Sequence, residues 1–250
     1  MSNDKNSAIA IQDLRKAFGD QKVLNGMNLQ VARGETVAVL GRSGGGKSVL
    51  LKLLIRLQVP DSGSICIAGQ EITKLDEKQL NNIRKKIGFL FQQAALYDSL
   101  TVEENVAFPL NRHTKMSTQE QKHKVRKLLA DVGMDRDLEK LPSQISGGMQ
   151  KRVGLARALA LDPEVLLFDE PTAGLDPITA AEIGRLIVEL RKKREMSAIV
   201  VTHDVHGAKT YSDRMVLLHN GSIKVEGSFD ELQNSKDEFV AEFFGYGAAR

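Results

Sequence analysis

The stretch Gly41-Arg42-Ser43-Gly44-Gly45-Gly46-Lys47-Ser48 decides the fold of this chain. It follows the uninterrupted apolar run Thr36 to Leu40, whose β-branched residues are typical of a strand covered on both faces. The apolar segment Val49 to Leu57 comes next and predicts a helix. A strand, a glycine loop and a helix in this order form the βα unit that phosphate binding requires.

The composition of the loop indicates how it would bind a nucleotide. Glycines let the backbone curl so that successive N–H groups point at one anion, and the following helix adds its N-terminal partial charge. Lys47 can reach the β- and γ-phosphates, and the Ser48 hydroxyl can bind Mg²⁺. We therefore expect ATP to contact Lys47, Ser48 and the residues before them: Gly41, Ser43, Gly44, Gly45 and Gly46.

A second apolar strand, Val165 to Phe168, is predicted to end in the carboxylates Asp169 and Glu170. Adjacent residues of a strand point to opposite faces, so the two acids can do different work. We expect Asp169 to hold the Mg²⁺ shell and Glu170 to act as the general base on the attacking water. The glycine loop upstream makes a merely acidic strand end a poor explanation.

Ser146, Gly147 and Gly148 open another predicted helix, which continues through Val153 and Ala156. A serine and two glycines at a helix start form a second anion site, although an ordinary N-cap reads the same way when it stands alone. One glycine loop leaves a face of the γ-phosphate open. A second helix start, supplied by another copy of this chain, would close that face.

Two further polar residues are predicted to lie at the carboxyl edge of the sheet, where open α/β folds bind ligands. His203 follows the strand-like run Ser197 to Val201, and Gln92 follows Ile87 to Phe91. We expect His203 to contact the γ-phosphate. The Gln92 amide is placed to touch Mg²⁺ or the lytic water.

The composition of the 250 residues is that of an ordinary globular protein, with 42% hydrophobic and 27% charged residues. A net charge of +3 is too small to argue for nucleic acid as a partner. The single cysteine, Cys66, cannot form an internal disulfide. The polar N-terminus lacks signal-peptide features, and no apolar run approaches the roughly 20 residues of a membrane span. We therefore expect a cytosolic or peripheral protein.

The segments outside the core motifs suggest two additions to a parallel sheet. Early strands at Ala8 to Leu14 and Lys22 to Val31 predict an antiparallel flap. Farther on, Ser117 with Glu120 makes a capping box, and Gly133 is placed to end the same helix.

A later helix begins at Asp176-Pro177 and is predicted to bury Ile183, Leu186, Ile187 and Leu190. We interpret its terminal basic cluster, Arg191 to Arg194, as a solvated helix end that favours the negative end of the helix dipole.

The ordered set GRSGGGKS, LFQ, ISGGMQKR, LLFDEP, AGLD and VTHD resembles the ABC ATPase family over nearly the whole chain. The resemblance implies an α/β fold in one domain over 1–250: a P-loop NTPase, RecA-like core with an antiparallel β subdomain and an inserted α-helical subdomain. We place the core and flap at 1–93 and 161–250, and the helical subdomain at 94–160.

The family resemblance also implies a site shared between two chains. ATP would lie in a head-to-tail dimer, with Lys47 and Ser48 of one copy facing Ser146 to Gly148 of the other. Residue by residue, the resemblance makes Gln92 the Q-loop glutamine, Asp176 the D-loop aspartate and His203 the switch histidine. Phe18 falls where the family has an aromatic that stacks on adenine, although a core position in the flap would also suit it.

One residue departs from the family pattern. Met149 stands where the signature usually ends in glutamine, and Gln150 follows it. Ser146 and both glycines remain, so nucleotide contact is expected to survive. Any role of the usual glutamine is open.

Within the family, the segments Gln92 to Val102 and Glu104 to Leu110, with ISGGMQKRVGLARAL, are similar to ATPases of the MCE-linked (Mla) phospholipid transporters. The first of these segments lies where the family's ATPases grip the permease. The resemblance implies permease subunits, a small STAS-domain protein, a periplasmic MCE-domain protein and a place on the cytoplasmic face of the inner membrane. The aromatic tail, with Phe239, Phe243 and Phe244, also resembles that group, and packing onto the core is its simpler explanation.

Other functions stay open at this stage. Importers of polar amino acids have similar segments. DNA-repair and chromosome ATPases with ABC heads carry coiled-coil or zinc insertions between the glycine loop and the signature, and here that interval has neither heptads nor cysteine pairs. Translation-factor ABC proteins carry each motif twice in one chain, and here each occurs once. Glu170 and His203 argue against a non-catalytic nucleotide-binding module.

Overall fold

The computed structural model of the protein describes residues 7–245. Residues 1–6 and 246–250 of the predicted domain lie outside that range, as does the start of the N-terminal segment judged for signal-peptide features.

The described residues form strands and helices in an alternating order. The strands are β1 (Ser7–Phe18), β2 (Gln21–Ala32), β3 (Thr36–Leu40), β4 (Ser62–Ile67), β5 (Gln70–Glu71), β6 (Ile87–Leu90), β7 (Val165–Asp169), β8 (Ser197–Thr202), β9 (Arg214–His219) and β10 (Ser222–Gly227). The helices are α1 (Lys47–Leu54), α2 (Glu77–Arg84), α3 (Val102–His113), α4 (Thr118–Asp131), α5 (Gly147–Ala158), α6 (Pro177–Arg194), α7 (Val205–Tyr211), α8 (Phe229–Gln233) and α9 (Glu238–Gly245).

A six-stranded sheet in the order β10-β9-β3-β8-β7-β6 forms the centre of the molecule. All pairs from β9 to β6 are parallel, and β10 adds an antiparallel edge. Every residue of β3 and β8 is buried, which explains their continuous apolar sequences. The predicted strands Thr36 to Leu40, Ile87 to Phe91, Val165 to Phe168 and Ala198 to Val201 are thereby confirmed, with end shifts of one residue or none.

The two faces of this sheet serve two different cores. Val37, Val39, Leu167 and Ile199 pack with α1, α2 and the N-terminal strands. The alternate residues, among them Ala38 and Phe168, pack with the helices from α3 onward. This division follows from the two-residue period of a strand, which sends neighbouring side chains to opposite faces.

The predicted antiparallel flap is present and larger than the sequence suggested. Its four strands have the order β2-β1-β4-β5. Strands β1 and β2 were predicted, whereas β4 and β5 were not, because SGSICI is short and begins with turn residues. Gly63 has φ +91, and a Cβ there would lie 2.5 Å from the Asp13 carbonyl oxygen, so this position needs glycine.

Helix α1 ends earlier than predicted. The helix was expected to continue to Leu57 but stops at Leu54, and Arg56 adopts φ +52. The Arg84 side chain donates to the carbonyl oxygens of Ile55 and Arg56, at 3.1 and 3.2 Å. These bonds give partners to two carbonyl oxygens that lie just beyond the end of the helix.

The helices α3, α4 and α5 lie between β6 and β7 in sequence, and they pack on one another. The predicted capping box is confirmed, because Ser117 Oγ accepts from the Glu120 N–H while the Glu120 carboxylate accepts from the Ser117 N–H. Gly133 has φ +71 just beyond the end of α4, as expected for a residue that stops a helix. The division into a core and a helical subdomain at 94–160 stays a prediction.

The start of α6 is confirmed, with Asp176 as its N-cap and Pro177 as its first residue, and the four predicted apolar residues are buried. The interpretation of its basic end as solvated is confirmed for Lys192 and Lys193, which are exposed, and is wrong for Arg191 and Arg194. Arg191 is buried and donates to the Gly34 carbonyl and the Asp213 carboxylate. Arg194 pairs with Asp131 and Asp162, so the cluster binds this helix to neighbouring elements.

The C-terminal aromatics pack onto the core, as the simpler explanation held. Phe244 is fully buried, and the ring centroid of Phe239 lies 4.3 Å from that of His219. Among the helices of the described residues, none combines the length and the apolar character needed to cross a membrane.

Candidate functional site

The glycine loop connects β3 to α1 at the carboxyl edge of the parallel sheet. Gly44 and Gly46 have φ +76 and +95, in the left-handed region that side chains disfavour. A Cβ on Gly41 would lie 2.8 Å from the Leu218 carbonyl oxygen, so glycine is needed there for close packing as well. The loop has the backbone freedom and the position that the sequence predicted for an anion cradle.

Lys47 lies folded inside this loop. It is buried, and its ammonium donates to the carbonyl oxygens of Gly41 and Arg42, at 2.8 and 3.1 Å. Burial lowers the pKa of Lys47, and the charges of Glu170 and Asp169 partly oppose that shift. The ammonium is thus held at the loop. There it can exchange a carbonyl oxygen for a phosphate oxygen without crossing the site.

Ser48 and Asp169 come together across the sheet edge. Ser48 Oγ lies 3.5 Å from Asp169 Oδ1. Burial raises the pKa of Asp169, and the neighbouring Glu170 charge raises it further. A divalent cation would relieve that carboxylate repulsion, and the hydroxyl and carboxylate oxygens are ligands that Mg²⁺ accepts.

The protein provides few metal ligands of its own. No cluster of three or more His, Cys, Asp or Glu residues suited to a metal occurs within residues 7–245. This is the donor set expected where Mg²⁺ takes most of its ligands from phosphates and water. Ser48 and Asp169 therefore fit the predicted metal, and they could hold it only together with a nucleotide.

Glu170 has a strained backbone just after β7. Its φ of +47 is unusual for a residue with a side chain and costs about 1–3 kcal/mol. The Glu170 N–H donates to the Val201 carbonyl at 2.9 Å, and the Glu170 carbonyl accepts from Lys151 at 3.2 Å. Neighbouring elements therefore hold this backbone in place from both sides.

The Glu170 side chain is 12% exposed and is held by the end of β8. Thr202 Oγ1 donates to Oε2 at 3.0 Å, and His203 Nδ1 lies 2.9 Å from Oε1. Because an ionised carboxylate only accepts hydrogen bonds, the geometry assigns the proton to Nδ1. The His203 side chain is 64% exposed. With the proton on Nδ1, the other ring nitrogen, Nε2, can donate to a phosphate only when the imidazole carries protons on both nitrogens.

Gln92 lies shortly after β6, and its side chain is exposed. The main-chain carbonyl oxygen of Gln92 accepts a hydrogen bond from the Lys151 ammonium. Two left-handed residues, Ala94 and Ala95, follow it. The structure thus places Gln92 at the same sheet edge as Glu170 and connects the two through one lysine.

Ser146 and Asp176 form a separate cluster at the starts of α5 and α6. Ser146 Oγ accepts from the Met149 N–H at 3.3 Å, and the Asp176 carboxylate accepts from the N–H groups of Ile178 and Thr179. A Cβ on Gly148 would lie 2.5 Å from Thr179 Cγ2, so the two helix starts touch. Within residues 7–245, no hydrogen bond joins this cluster to the glycine loop.

Phe18 lies at the end of β1 and is 45% exposed, with the Lys16 ammonium 5.3 Å from its ring centroid. The alternative placement in the flap core is therefore wrong. An exposed ring with a cation nearby is available for stacking on a planar base.

Two residues of this site escaped the sequence analysis. Thr202 stands within the quoted motif VTHD, and Lys151 stands within ISGGMQKR, yet neither was given a role. Thr202 positions Glu170 directly, and Lys151 contacts the backbone at both Gln92 and Glu170. Lys151 lies between Gln150 and Arg152, so the side-chain pattern gave no signal that it is buried.

The fold and this site define a P-loop ATPase. Comparison with known proteins adds the family: a family model described as ABC transporter matches residues 24–173. The chain belongs to the ABC transporter family. It is the ATP-hydrolysing subunit of such a transporter, with ATP as its substrate and Mg²⁺ as its metal cofactor, and the predicted fold class is confirmed.

Similar sequences carry different names. The chain is 41% identical over 236 residues to the probable ribonucleotide transport ATP-binding protein mkl of Mycobacterium leprae, covering 94% of this chain and 68% of that protein. It is 41% identical over 219 residues to the methionine import ATP-binding protein MetN of Brucella abortus, covering 88% of this chain and 59% of that protein.

Similar structures are ATP-binding cassettes. The dimeric cassette MJ0796, in a post-hydrolysis state bound to ADP and Pi, superposes with a TM-score of 0.80 and 34% identity over 88% of this chain and 98% of that one. CbiO1 of Clostridium perfringens, part of the cbiONQ transporter complex, gives a TM-score of 0.83 and 28% identity over 95% and 98% of the two chains.

Glu170→Gln tests the proposed base. The amide keeps the size of the side chain but cannot take a proton from water, so we expect kcat to fall by about 10²–10⁴-fold while ATP affinity changes little. Steady-state hydrolysis and equilibrium binding of ATP measure the two effects. Glu189→Gln, at an exposed position of α6, is the matched control and keeps the wild-type rate. Normal turnover by Glu170→Gln would show that another group is the base.

Lys47→Ala tests the phosphate contact. Removing a charged donor from the glycine loop is expected to weaken ATP binding by roughly 10- to 100-fold, which corresponds to about 1.5–3 kcal/mol. Isothermal titration calorimetry with ATP and Mg²⁺ measures the affinity of each variant for ATP. Lys52→Ala, on the exposed face of the same helix, controls for the loss of a lysine. Equal ATP affinity in the Lys47 and Lys52 variants would contradict the assignment.

Proposed function

We propose that this subunit powers phospholipid transport between membranes, working as a homodimer on permease subunits with a STAS-domain protein and a periplasmic MCE-domain protein. It would lie peripherally on the cytoplasmic face of the inner membrane. The observation that carries the transport part of the proposal is an apolar cleft lined by Phe91, the residue directly before Gln92. The phospholipid part rests on the sequence resemblance to the MCE-linked ATPases.

The homodimer follows from the incomplete site on one chain. Lys47, Ser48, Asp169, Glu170 and His203 share one edge of the sheet, whereas Ser146 to Gly148 form a helix start that lies against Leu175 and the first turn of α6. A helix start with two glycines suits an anion brought from outside. The similar cassette MJ0796 is dimeric, which supports a dimer of this chain.

In the proposed mechanism each residue of the site has a defined role. The glycine loop and Lys47 bind the phosphates, and Phe18 stacks on the adenine. Ser48, Asp169 and the Gln92 amide would hold Mg²⁺, which when bound would withdraw charge from the phosphates. Glu170 takes the proton of the attacking water while Thr202 and His203 keep its carboxylate aimed. Ser146 to Gly148 of the second copy close the γ-phosphate face, with Asp176 beside them.

The cleft for the permease lies between the loop after β6 and helix α3. Its volume is about 420 Å³, and its lining includes Phe91, Tyr97, Phe108 and Pro109. Phe91 and Tyr97 are both exposed, and the Tyr97 and Phe108 ring centroids lie 4.6 Å apart. A groove of exposed aromatic rings suits the apolar side of a partner helix. Because the cleft adjoins Gln92, a helix bound there would sense the nucleotide site.

A second cargo class is favoured by one comparison. The 41% identity to a methionine import protein covers 88% of this chain, so import of a polar small solute is the alternative. Both proposals share the same ATPase and the same permease cleft. They differ only in the partners that the permease recruits.

Ser146→Arg tests the shared site. A long cation at the start of α5 is expected to block closure of the dimer while leaving ATP bound to Lys47 and its loop. The measurement is light scattering after size exclusion with ATP and Mg²⁺, in the Glu170→Gln background that traps ATP. The control is Gln119→Arg, at an exposed position of α4. An ATP-dependent dimer that persists in the Ser146→Arg variant would contradict the shared site.

Affinity purification from native membranes tests the cargo proposal. We expect a permease, an MCE-domain protein, a STAS-domain protein and phospholipid to copurify, as identified by mass spectrometry. A permease with a soluble solute-binding protein would replace phospholipid by a polar solute. The control is a Phe108→Glu variant, in which a charge in the aromatic cleft is expected to remove the permease from the purified complex.

A further inference from the structure

Lys151 is a buried lysine that the mechanism above does not use. It lies in α5 with 4% of its surface exposed. Its ammonium donates to the Gln92 carbonyl oxygen and, at 3.2 Å, to the Glu170 carbonyl oxygen. A buried ammonium is costly unless its donors are satisfied, so this side chain has a defined place in the structure.

The two acceptors belong to separate elements of the sheet edge. Gln92 follows β6 and Glu170 follows β7, and the two strands are parallel neighbours. Both carbonyls come from residues whose side chains are assigned to the reaction. The Lys151 ammonium therefore holds the main chain of both Gln92 and Glu170, and its hydrogen bonds go to neither side chain.

The carbonyl of Glu170 is a sensitive point to hold. Its residue has φ +47, and its N–H is bound by Val201 on the opposite side. Without the bond from Lys151, the peptide after Glu170 loses a charged partner for its oxygen. The backbone can then relax toward an ordinary conformation, which would turn the carboxylate away from Thr202 and His203.

Lys151 belongs to a helix face that holds the Gln92 loop along its length. Gly154 follows three residues later, and a Cβ there would lie 2.8 Å from Leu90 Cδ1. Arg157, three residues further on, donates to the carbonyl oxygens of Ala94 and Ala95 at 2.6 and 2.8 Å. Residues at this spacing share one side of a helix. The loop after β6 is therefore bound to helix α5 at several points along the helix.

The same helix begins at the predicted contact with the second chain. Gly147 stands four residues before Lys151, one helical turn away on the same side. A helix is stiff over one turn, so a displacement of its start reaches the ammonium directly. The rise along the helix from Gly147 to Lys151 is about 6 Å. A contact made at Ser146 to Gly148 can therefore act on the backbone of Glu170 through Lys151.

We propose that Lys151 is a positioning residue that aligns Glu170 and Gln92 for hydrolysis when the start of α5 engages nucleotide across the dimer. The inference rests on the proposed function for the shared site, and it adds a physical connection between dimer closure and the base. Lys151 acts through the backbone of these residues and touches no substrate.

Lys151→Met removes the charge and both hydrogen bonds while keeping an unbranched side chain of similar length. We expect kcat to fall by about 10- to 100-fold, as for a small misplacement of a catalytic group, with KM for ATP within twofold of wild type. ATP-dependent dimerisation in the Glu170→Gln background is expected to persist. Lys127→Met, at an exposed position of α4, is the matched control and keeps the wild-type kcat.

A double-mutant cycle separates positioning from general damage. If Lys151 acts through Glu170, Lys151→Met lowers the single-turnover rate of wild type strongly but that of Glu170→Gln by less than about twofold. General damage to the fold would lower both rates equally. Lys151→Gln, which retains an amide donor, is expected to recover part of the lost rate, and it decides the matter if Lys151→Met fails to fold.

Three results bear on the inference. A selective loss of kcat that is absent in the Glu170→Gln background supports it. A kcat within twofold of wild type in the folded Lys151 variants, or an equal loss in both backgrounds, overturns it while leaving the shared site intact. A Ser146→Arg variant that hydrolyses ATP at the wild-type rate overturns the shared site itself and removes the connection that Lys151 would make.

Discussion

The parallel pairing of β3, β8 and β7 is the interaction on which the nucleotide site depends. Leu40 pairs with Thr202 and Asp169 pairs with Val201, so the three strands end at one level of the sheet. The glycine loop, the Asp169 and Glu170 carboxylates and His203 begin where this pairing stops. A slip of one residue in β7 would exchange the faces of its two acids and separate Asp169 from Ser48. The buried apolar residues on both faces of the strands hold that register fixed.

Charge is distributed around this edge in a way that prepares it for phosphate. Two buried lysines, Lys47 and Lys151, flank the adjacent acids Asp169 and Glu170, and burial lowers the pKa of each lysine while the acids oppose that shift. Both ammonium groups bind backbone carbonyl oxygens rather than forming ion pairs with the acids. Lys47 can therefore exchange a carbonyl for a phosphate oxygen, whereas Lys151 lies under the loop and has no such exchange open to it. Two lysines thus have different proposed roles, binding of phosphate for Lys47 and positioning of the backbone for Lys151.

Much of this arrangement could be predicted from the sequence, because it depends on local patterns. The buried strand before the glycine loop, the capping box at Ser117 and the N-cap at Asp176 are each encoded within a few neighbouring residues. The errors have a common cause in contacts between distant segments. Arg84 of α2 donates to a carbonyl oxygen just after α1, Arg191 pairs with Asp213, and Lys151 binds backbone oxygens, and none of these contacts leaves a trace in the local side-chain pattern.

The chemistry of the site and the choice of cargo are encoded in different parts of the chain. Proteins named for ribonucleotide transport and for methionine import are equally similar to this one, at 41% identity. Such equality is expected if the nucleotide site sets most of the similarity, because every ATPase of the family binds the same phosphates. A cargo never touches this subunit in the proposed assembly, so selection for cargo can act here only through the surface that meets the permease. We propose the aromatic cleft around Phe91, Tyr97 and Phe108 as that surface, and Phe91 directly precedes Gln92 in the chain. Under this proposal, recognition of the partner and control of hydrolysis both involve the loop after β6, whose backbone carbonyls accept hydrogen bonds from Lys151 and Arg157 of helix α5.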